Sequence, residues 1–537
     1  PALSGLSKLQ GILKPLHFDN ELKMYGEQFV EGTRSWVFDI IQRWRRSELN
    51  QKCLLLLAGP GFGKTAIVAR LKQSLRKEEV IAVHLCRHND DKKRNPRSMI
   101  QSLAYQIAEA LPSFKAKLEE RRDLIEAHVK DGDSTSVQRL MDDLLLQPLA
   151  AIEDPRQSKD VPRLLIIIDA LDEAEHNLKN KLLECIAARD FKEGLRPWCA
   201  LLVTSRPEKV VRNTLKYLNT LELDTESHKE ENEKDVRDFL KFVFKRACVS
   251  EETLEKNVDI AAGHAKGNFL YLYWLRKRVE EQAAQGQTID ISSMPRGLSE
   301  EYEDQMKRIM PNGLFGDGRA VLEAVIGAAE PVHLEEQLPA LTGLSLRQCK
   351  KIMNDFAELF TVREDKRIYD FHKSIVDWLI AEAPFNDRKK LDAIEDYVID
   401  LAACHRRLAC AGAKMILPRI TASRFSSDAS AAKALRGVID FVPGGGSGNA
   451  KRVDVGGEEN GVVAMAYALR WTCHHLCNDA KHATAASLLS SLTFLDLRLV
   501  QHDDHPWIEA LHDCDAVAAA SADTSSTTSP MSFVNNM

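Results

Sequence analysis

Leu54-Leu55-Leu56-Leu57-Ala58-Gly59-Pro60-Gly61-Phe62-Gly63-Lys64-Thr65 decides the fold. Four leucines give the apolar run of a buried strand, the glycines break it, and Thr65-Ala66-Ile67-Val68-Ala69-Arg70-Leu71 reads as a helix. Strand, turn and helix in that order form a phosphate cradle. Glycines let backbone N–H groups approach an anion, which then lies at the positive end of the helix. Gly59, Gly61, Gly63, Lys64, Thr65 and Ala66 are the predicted nucleotide contacts, with Lys64 on the β- and γ-phosphates and the Thr65 hydroxyl on Mg2+. The usual pattern, G-x-x-x-x-G-K-[ST], has Gly first; Ala58 fits there if it keeps a negative φ at the strand end.

Downstream, Leu164-Leu165-Ile166-Ile167-Ile168-Asp169 describes a buried parallel strand with a carboxylate at its C-terminal edge, where open α/β sheets bind ligands. Asp169 is expected to order the Mg2+ shell, and Asp172 or Glu173 to orient the attacking water; a helix-capping role for Asp169 is the alternative. Ala200-Leu201-Leu202-Val203-Thr204 is a further strand, running into Ser205-Arg206-Pro207, and Arg206 is placed to sense the γ-phosphate. Val80 to Cys86 reads as another strand, and Leu221-Glu222-Leu223-Asp224 as a final one. Between them, Lys92-Lys93-Arg94 reads as a solvated loop and Met99 to Ala110 as an amphipathic helix. Strands alternating with helices predict an α/β fold, a parallel sheet with helices on both faces.

Residues 1 to about 50 read as helical. Trp36, Val37, Ile40, Ile41 and Trp44 share a face, Arg43, Arg45 and Arg46 lie elsewhere, and Thr33 of Gly32-Thr33-Arg34 is the expected N-cap. The expected division is a helical segment 1–50, a nucleotide core 51–225, a helical lid 226–300, a winged-helix domain 301–385 around the hairpin-like Phe360 to Tyr369, and a helical region 386–440. A Gly-rich linker 441–460, a helical region 461–518 and a disordered tail 519–537 complete it. Cys473-His474-His475-Leu476-Cys477 holds four zinc-ligand types, but on a helix its histidines point roughly 100° and 200° away from Cys473, so it reads as structural.

A chain of 537 residues implies several domains. With 73 basic and 79 acidic residues, a net charge of −6 gives no general attraction to nucleic acid or anionic membrane. No apolar run approaches the length of a membrane span, and no signal peptide opens the chain. The 11 cysteines are scattered, with Cys53 inside an apolar strand, which fits a reducing, cytoplasmic compartment. The chain starts at Pro1 without Met, as a fragment would.

Together, Ala58 to Thr65, Ile166-Ile167-Ile168-Asp169-Ala170-Leu171-Asp172-Glu173 and Leu201-Leu202-Val203-Thr204-Ser205-Arg206-Pro207-Glu208 resemble the NACHT branch of the STAND signal-transduction ATPases. Gly32-Thr33-Arg34 and Ser102-Leu103-Ala104-Tyr105-Gln106 resemble its nephrocystin-like N-terminal subgroup. Gly267-Asn268-Phe269 stands at the family's Gly-x-Pro lid motif, and Phe371-His372-Lys373-Ser374 resembles the winged-helix motif whose histidine contacts the ADP β-phosphate in relatives. Ala170 stands where many members have Gly, and Phe269 where they have the adenine-contacting Pro. The resemblance implies ATP/ADP and Mg2+ as ligands, closure by ADP and opening by ATP, slow hydrolysis, and self-association or protein partners through repeat or effector regions. The competing readings are a P-loop phosphotransferase and an AAA+-like DNA-binding ATPase using the winged helix.

Overall fold

Cys53–Leu57 (β1), Val80–Leu85 (β2), Leu164–Asp169 (β3) and Cys199–Ser205 (β4) are buried along their whole lengths. Strands without polar alternation satisfy both faces only in a sheet that is covered on both sides. In the computed structural model they join Asn219–Glu222 (β5) in a parallel five-stranded sheet of order β2-β3-β4-β1-β5. The structure describes residues 2–421 except 48–50, 77, 89, 131–135, 159, 175–179, 189–193, 248, 383–384 and 386–393, together with 432–433, 468 and 471–472. The linker 441–460, most of the region 461–518, the tail 519–537 and the Cys473 to Cys477 segment lie outside the described residues.

Alternate residues serve two cores. Leu55, Leu57, Ile166, Ile168 and Leu201 pack with the helices Ala2–Leu13 and Pro96–Ala110. Leu54, Leu56, Leu165, Ile167 and Leu202 pack on the other face with Ser35–Arg46 and Lys64–Ser74. Leucine favours helix by intrinsic propensity. A fully buried leucine contributes about 1.5–3 kcal/mol, several times any propensity difference, so packing makes β1 a strand.

Register gathers the strand ends. Leu57 lies opposite Ser205 on one side and Glu222 on the other, Ile168 lies opposite Val203, and Leu85 opposite Asp169. The turn after β1, the acid of β3 and the end of β4 therefore share one edge, with β4 between the other two.

Three sequence expectations need correction. Thr33 is not the N-cap: its hydroxyl donates to Val30 O at 2.7 Å, and Arg34, left-handed at φ 57°, occupies the N-cap position of Ser35–Arg46 without a side-chain capping bond. Arg45 is buried, donating to Arg163 O at 3.0 Å and to Glu79 at 2.9 Å, where spacing alone had put it on a polar face. Lys93 is not a solvated charge, because its ammonium pairs with Glu21 at 2.7 Å.

The chain divides into two units, Pro1–Glu301 and Tyr302–Met537. The first also holds the helices Lys229–Arg246, Glu251–Ala265 and Phe269–Ala284, which bury Val236, Leu240, Val258, Leu272 and Leu275. The second holds Gly316–Gly327, Leu346–Asp355, an antiparallel hairpin of Phe360–Val362 (β6) and Ile368–Asp370 (β7), Lys373–Leu379 and Leu401–Thr421. There, buried Glu323 accepts from Arg319 at 2.8 Å and from Arg407 at 2.7 Å, tying two helices together. Among the described residues no helix is long and apolar enough to cross a membrane.

Candidate functional site

The chain leaves β1 through Ala58–Gly63 and enters the helix Lys64–Ser74. Gly61 and Gly63 are left-handed at φ 80° and 83°, a region costing an L-residue roughly 1–2 kcal/mol. Ala58 is buried and has no positive φ, so it meets the condition set for it.

Each carbonyl of this turn accepts a hydrogen bond. Lys64 Nζ donates to Ala58 O at 2.7 Å and Gly59 O at 3.1 Å. Asn268 Nδ2 donates to Pro60 O at 3.0 Å, Leu270 N to Gly61 O at 3.0 Å, and Arg34 Nη2 to Phe62 O at 3.2 Å. Gly63 O accepts from Ile67 N at 3.0 Å. On the amide side, Gly59 N donates to Asp224 Oδ2 at 2.8 Å. Asp224 reaches it because β5 ends at Glu222, two residues earlier than Leu221 to Asp224 suggests. The amides of Gly61, Phe62, Gly63, Lys64 and Thr65 have no acceptor among the described residues. A run of such donors at a helix start is an anion cradle.

Opposite the cradle lies Asp169. Thr65 Oγ1 donates to its Oδ2 at 2.8 Å and Thr204 Oγ1 to its Oδ1 at 2.5 Å, while Ala170 N donates to Thr204 Oγ1 at 2.9 Å. Burial raises the pKa of Asp169, against the two threonine hydrogen bonds and the charges of Arg87 and Lys64. Burial likewise lowers the Lys64 ammonium, which Asp172 opposes. Mg2+ favours oxygen donors, usually one or two carboxylates plus phosphate oxygens and water. The Thr65 hydroxyl and Asp169 carboxylate fit that set.

Asp172, Glu173 and Arg206 sit at the same edge, and each is already engaged. Asp172 accepts from Arg206 N at 3.0 Å and Ser205 Oγ at 3.3 Å, and pairs with Arg206 Nε at 3.3 Å. Glu173 is held by His88, whose backbone N–H donates to Glu173 Oε2 at 3.3 Å and whose Nδ1 lies 3.3 Å from the same oxygen. His372 belongs to the second unit. It is the N-cap of Lys373–Leu379, its Nδ1 accepting from Ser374 N at 3.1 Å.

Sequence reasoning missed four contributors. Arg34 is 2% exposed, pairs with Asn232 and Asp235, and lies 4.4 Å from the Phe269 ring centre. Burial lowers its pKa to about 10. Asn268 and Asp224 hold the turn as described. Arg87 follows β2 and donates to Tyr25 OH. Burial alone would lower its pKa, but Tyr25, Glu173, Glu21 and Asp169 together raise it. Arg34 and Asn268 carried a signal only as members of the resembling motifs Gly32-Thr33-Arg34 and Gly267-Asn268-Phe269, and Arg87 only by following a buried strand at the ligand-binding edge.

No curated protein matches the chain. Residues 32–206, which run from the glycine ahead of Arg34 to Arg206 itself, match the family described as Nephrocystin 3, N-terminal.

Proposed function

We propose that this chain is a NACHT-type STAND nucleotide switch: it binds ATP or ADP with Mg2+, hydrolyses ATP slowly, and uses the bound state to govern self-association or protein partners in the cytoplasm. The observation carrying this reading is the cradle, in which the carbonyls of Ala58 to Gly63 are held by hydrogen bonds and five successive amides from Gly61 to Thr65 are left to donate. Lys64 supplies the cation for the β- and γ-phosphates, and Thr65 and Asp169 supply the metal donors. When bound, Mg2+ neutralises phosphate charge. Asp172 and Glu173 are the acids for positioning water, Arg206 the cation for the γ-phosphate, and His372 the winged-helix contact to ADP. The three helices between Lys229 and Ala284 serve as the lid.

Under the DNA-binding reading the helix Leu346–Asp355 would enter the groove, and there Lys350 pairs with Glu335 at 2.6 Å. That pairing reduces the basic footprint DNA binding would need and weighs against that reading.

Titration of the full chain with Mg-ATP tests the reading. Lys64→Ala should weaken binding at least tenfold, roughly 1.4 kcal/mol or more. An unchanged dissociation constant refutes the site.

A further inference from the structure

A peptide unit is planar and trans, so its N–H points opposite to its C=O. Fixing the carbonyl of one residue therefore fixes the direction of the next residue's amide. In the phosphate loop, the carbonyls of Pro60, Gly61 and Phe62 set the amides of Gly61, Phe62 and Gly63, three of the cradle's donors. Neither the loop's own strand nor its helix holds these three carbonyls. Asn268 Nδ2 holds the first at 3.0 Å, Leu270 N the second at 3.0 Å, and Arg34 Nη2 the third at 3.2 Å.

Two of these donors begin the helix Phe269–Ala284. The third, Arg34, grips the same helical group, through Asn232 and Asp235 of Lys229–Arg246 and through the ring of Phe269. Its backbone N–H also donates to Asp235 Oδ1 at 3.0 Å. The approach is close: a Cβ on Gly61 would come within 2.5 Å of Asn268 Oδ1.

We infer that the three-helix group is part of the phosphate site, with Asn268 and Arg34 as positioning residues that hold the loop amides toward the phosphates only while the group is docked. This rests on the nucleotide reading above and specifies how its lid acts. The lid reads the phosphates through the loop backbone, without touching them. Docking and phosphate affinity are then linked equilibria, each strengthening the other by the same factor.

The test uses the full chain, with Mg-ADP and with inorganic tripolyphosphate, which has no base. Asn268→Ser is the informative variant. Asn268 Oδ1 caps its helix at Tyr271 N, 2.9 Å away, and serine caps as well, but its side chain is too short to reach Pro60 O. Arg34→Lys keeps the charge and loses the forked geometry. Each variant is expected to weaken both ligands by a similar factor, roughly three- to tenfold, the worth of one hydrogen bond. Each should also speed hydrogen exchange across residues 229–284, and bound tripolyphosphate should slow that exchange in wild type.

Variants that keep the wild-type melting temperature and bind both ligands as tightly as wild type overturn the inference. So does a loss confined to Mg-ADP, which assigns these residues to the base. Wild-type protein that binds neither ligand overturns the nucleotide reading, and this inference with it.

Discussion

Ala170 stands directly after Asp169 in left-handed backbone at φ 56°. Its N–H must point at Thr204 Oγ1, 2.9 Å away, and the strained turn provides that direction. Ala170→Gly should therefore stabilise the fold by about 0.5–1 kcal/mol, the left-handed penalty less the added entropy of the unfolded glycine. Chemical denaturation checks it, and a loss of stability would show that the methyl group packs usefully. Asp169 illustrates the opposite compromise. Because burial raises its folded pKa, the folded chain binds its proton more readily than the unfolded chain does. Stability is then gained as pH falls through that raised pKa, and the cost of the buried charge is present at neutral pH. Asp169→Asn should raise the melting temperature of the nucleotide-free protein at pH 7.5 by about 2–4 °C, for roughly 1 kcal/mol, and the gain should shrink on acidification. The same variant should lose the dependence of nucleotide affinity on Mg2+. A lower melting temperature at pH 7.5 would mean that the hydrogen bonds from Thr65 and Thr204 outweigh burial.

Elements differ in how plainly the sequence announces them. The four buried strands were legible because their runs are unbroken, and the phosphate turn because Gly61 and Gly63 need φ values that other residues resist. The edge strand Asn219–Glu222 is half-exposed and reads weakly. Arg34 and Asn268 lie in motifs legible by resemblance, but not as loop-holders, since they act on carbonyls 28 and 208 residues distant and backbone acceptors leave no mark in sequence. His372 was legible only by resemblance, and within its own unit it caps a helix. That cap makes alanine a poor probe: His372→Ala should cost about 0.5–2 kcal/mol whatever else the residue does. His372→Asn keeps a capping acceptor and removes the imidazole. If the histidine also latches ADP, the asparagine variant should retain full stability yet purify with less bound ADP and elute as a larger or more open species. Wild-type ADP content and elution in that variant would leave His372 as a cap alone.

A motor and a switch built on the same cradle differ in whether the water-positioning groups are ready before the nucleotide arrives. Fast AAA+ motors carry a catalytic Glu immediately after the strand acid, and here that position is Ala170. The acids that follow are both occupied: Asp172 by Arg206 at 3.3 Å and by the Arg206 amide at 3.0 Å, Glu173 by the His88 amide and ring at 3.3 Å. Arg206 commits its Nε to Asp172, and that pair fixes where its remaining guanidinium donors can reach. Arg87, a further cation at this edge, is bonded to Tyr25. In phosphoryl transfer the protein contributes chiefly positioning and charge stabilisation, and an absent arginine alone costs about 10³–10⁵ in rate. Purified chain with saturating Mg-ATP should therefore turn over well below roughly 10 s⁻¹, the typical enzyme median. Glu173→Gln should lower that basal rate while leaving ATP affinity near wild type, because the role proposed for Glu173 is on the attacking water and not on the phosphates. If a neighbouring copy supplies the missing cation, turnover per chain should rise with protein concentration. Sustained turnover above that median in dilute protein would mean that the pairs open readily, and the switch would give way to a motor or a phosphotransferase.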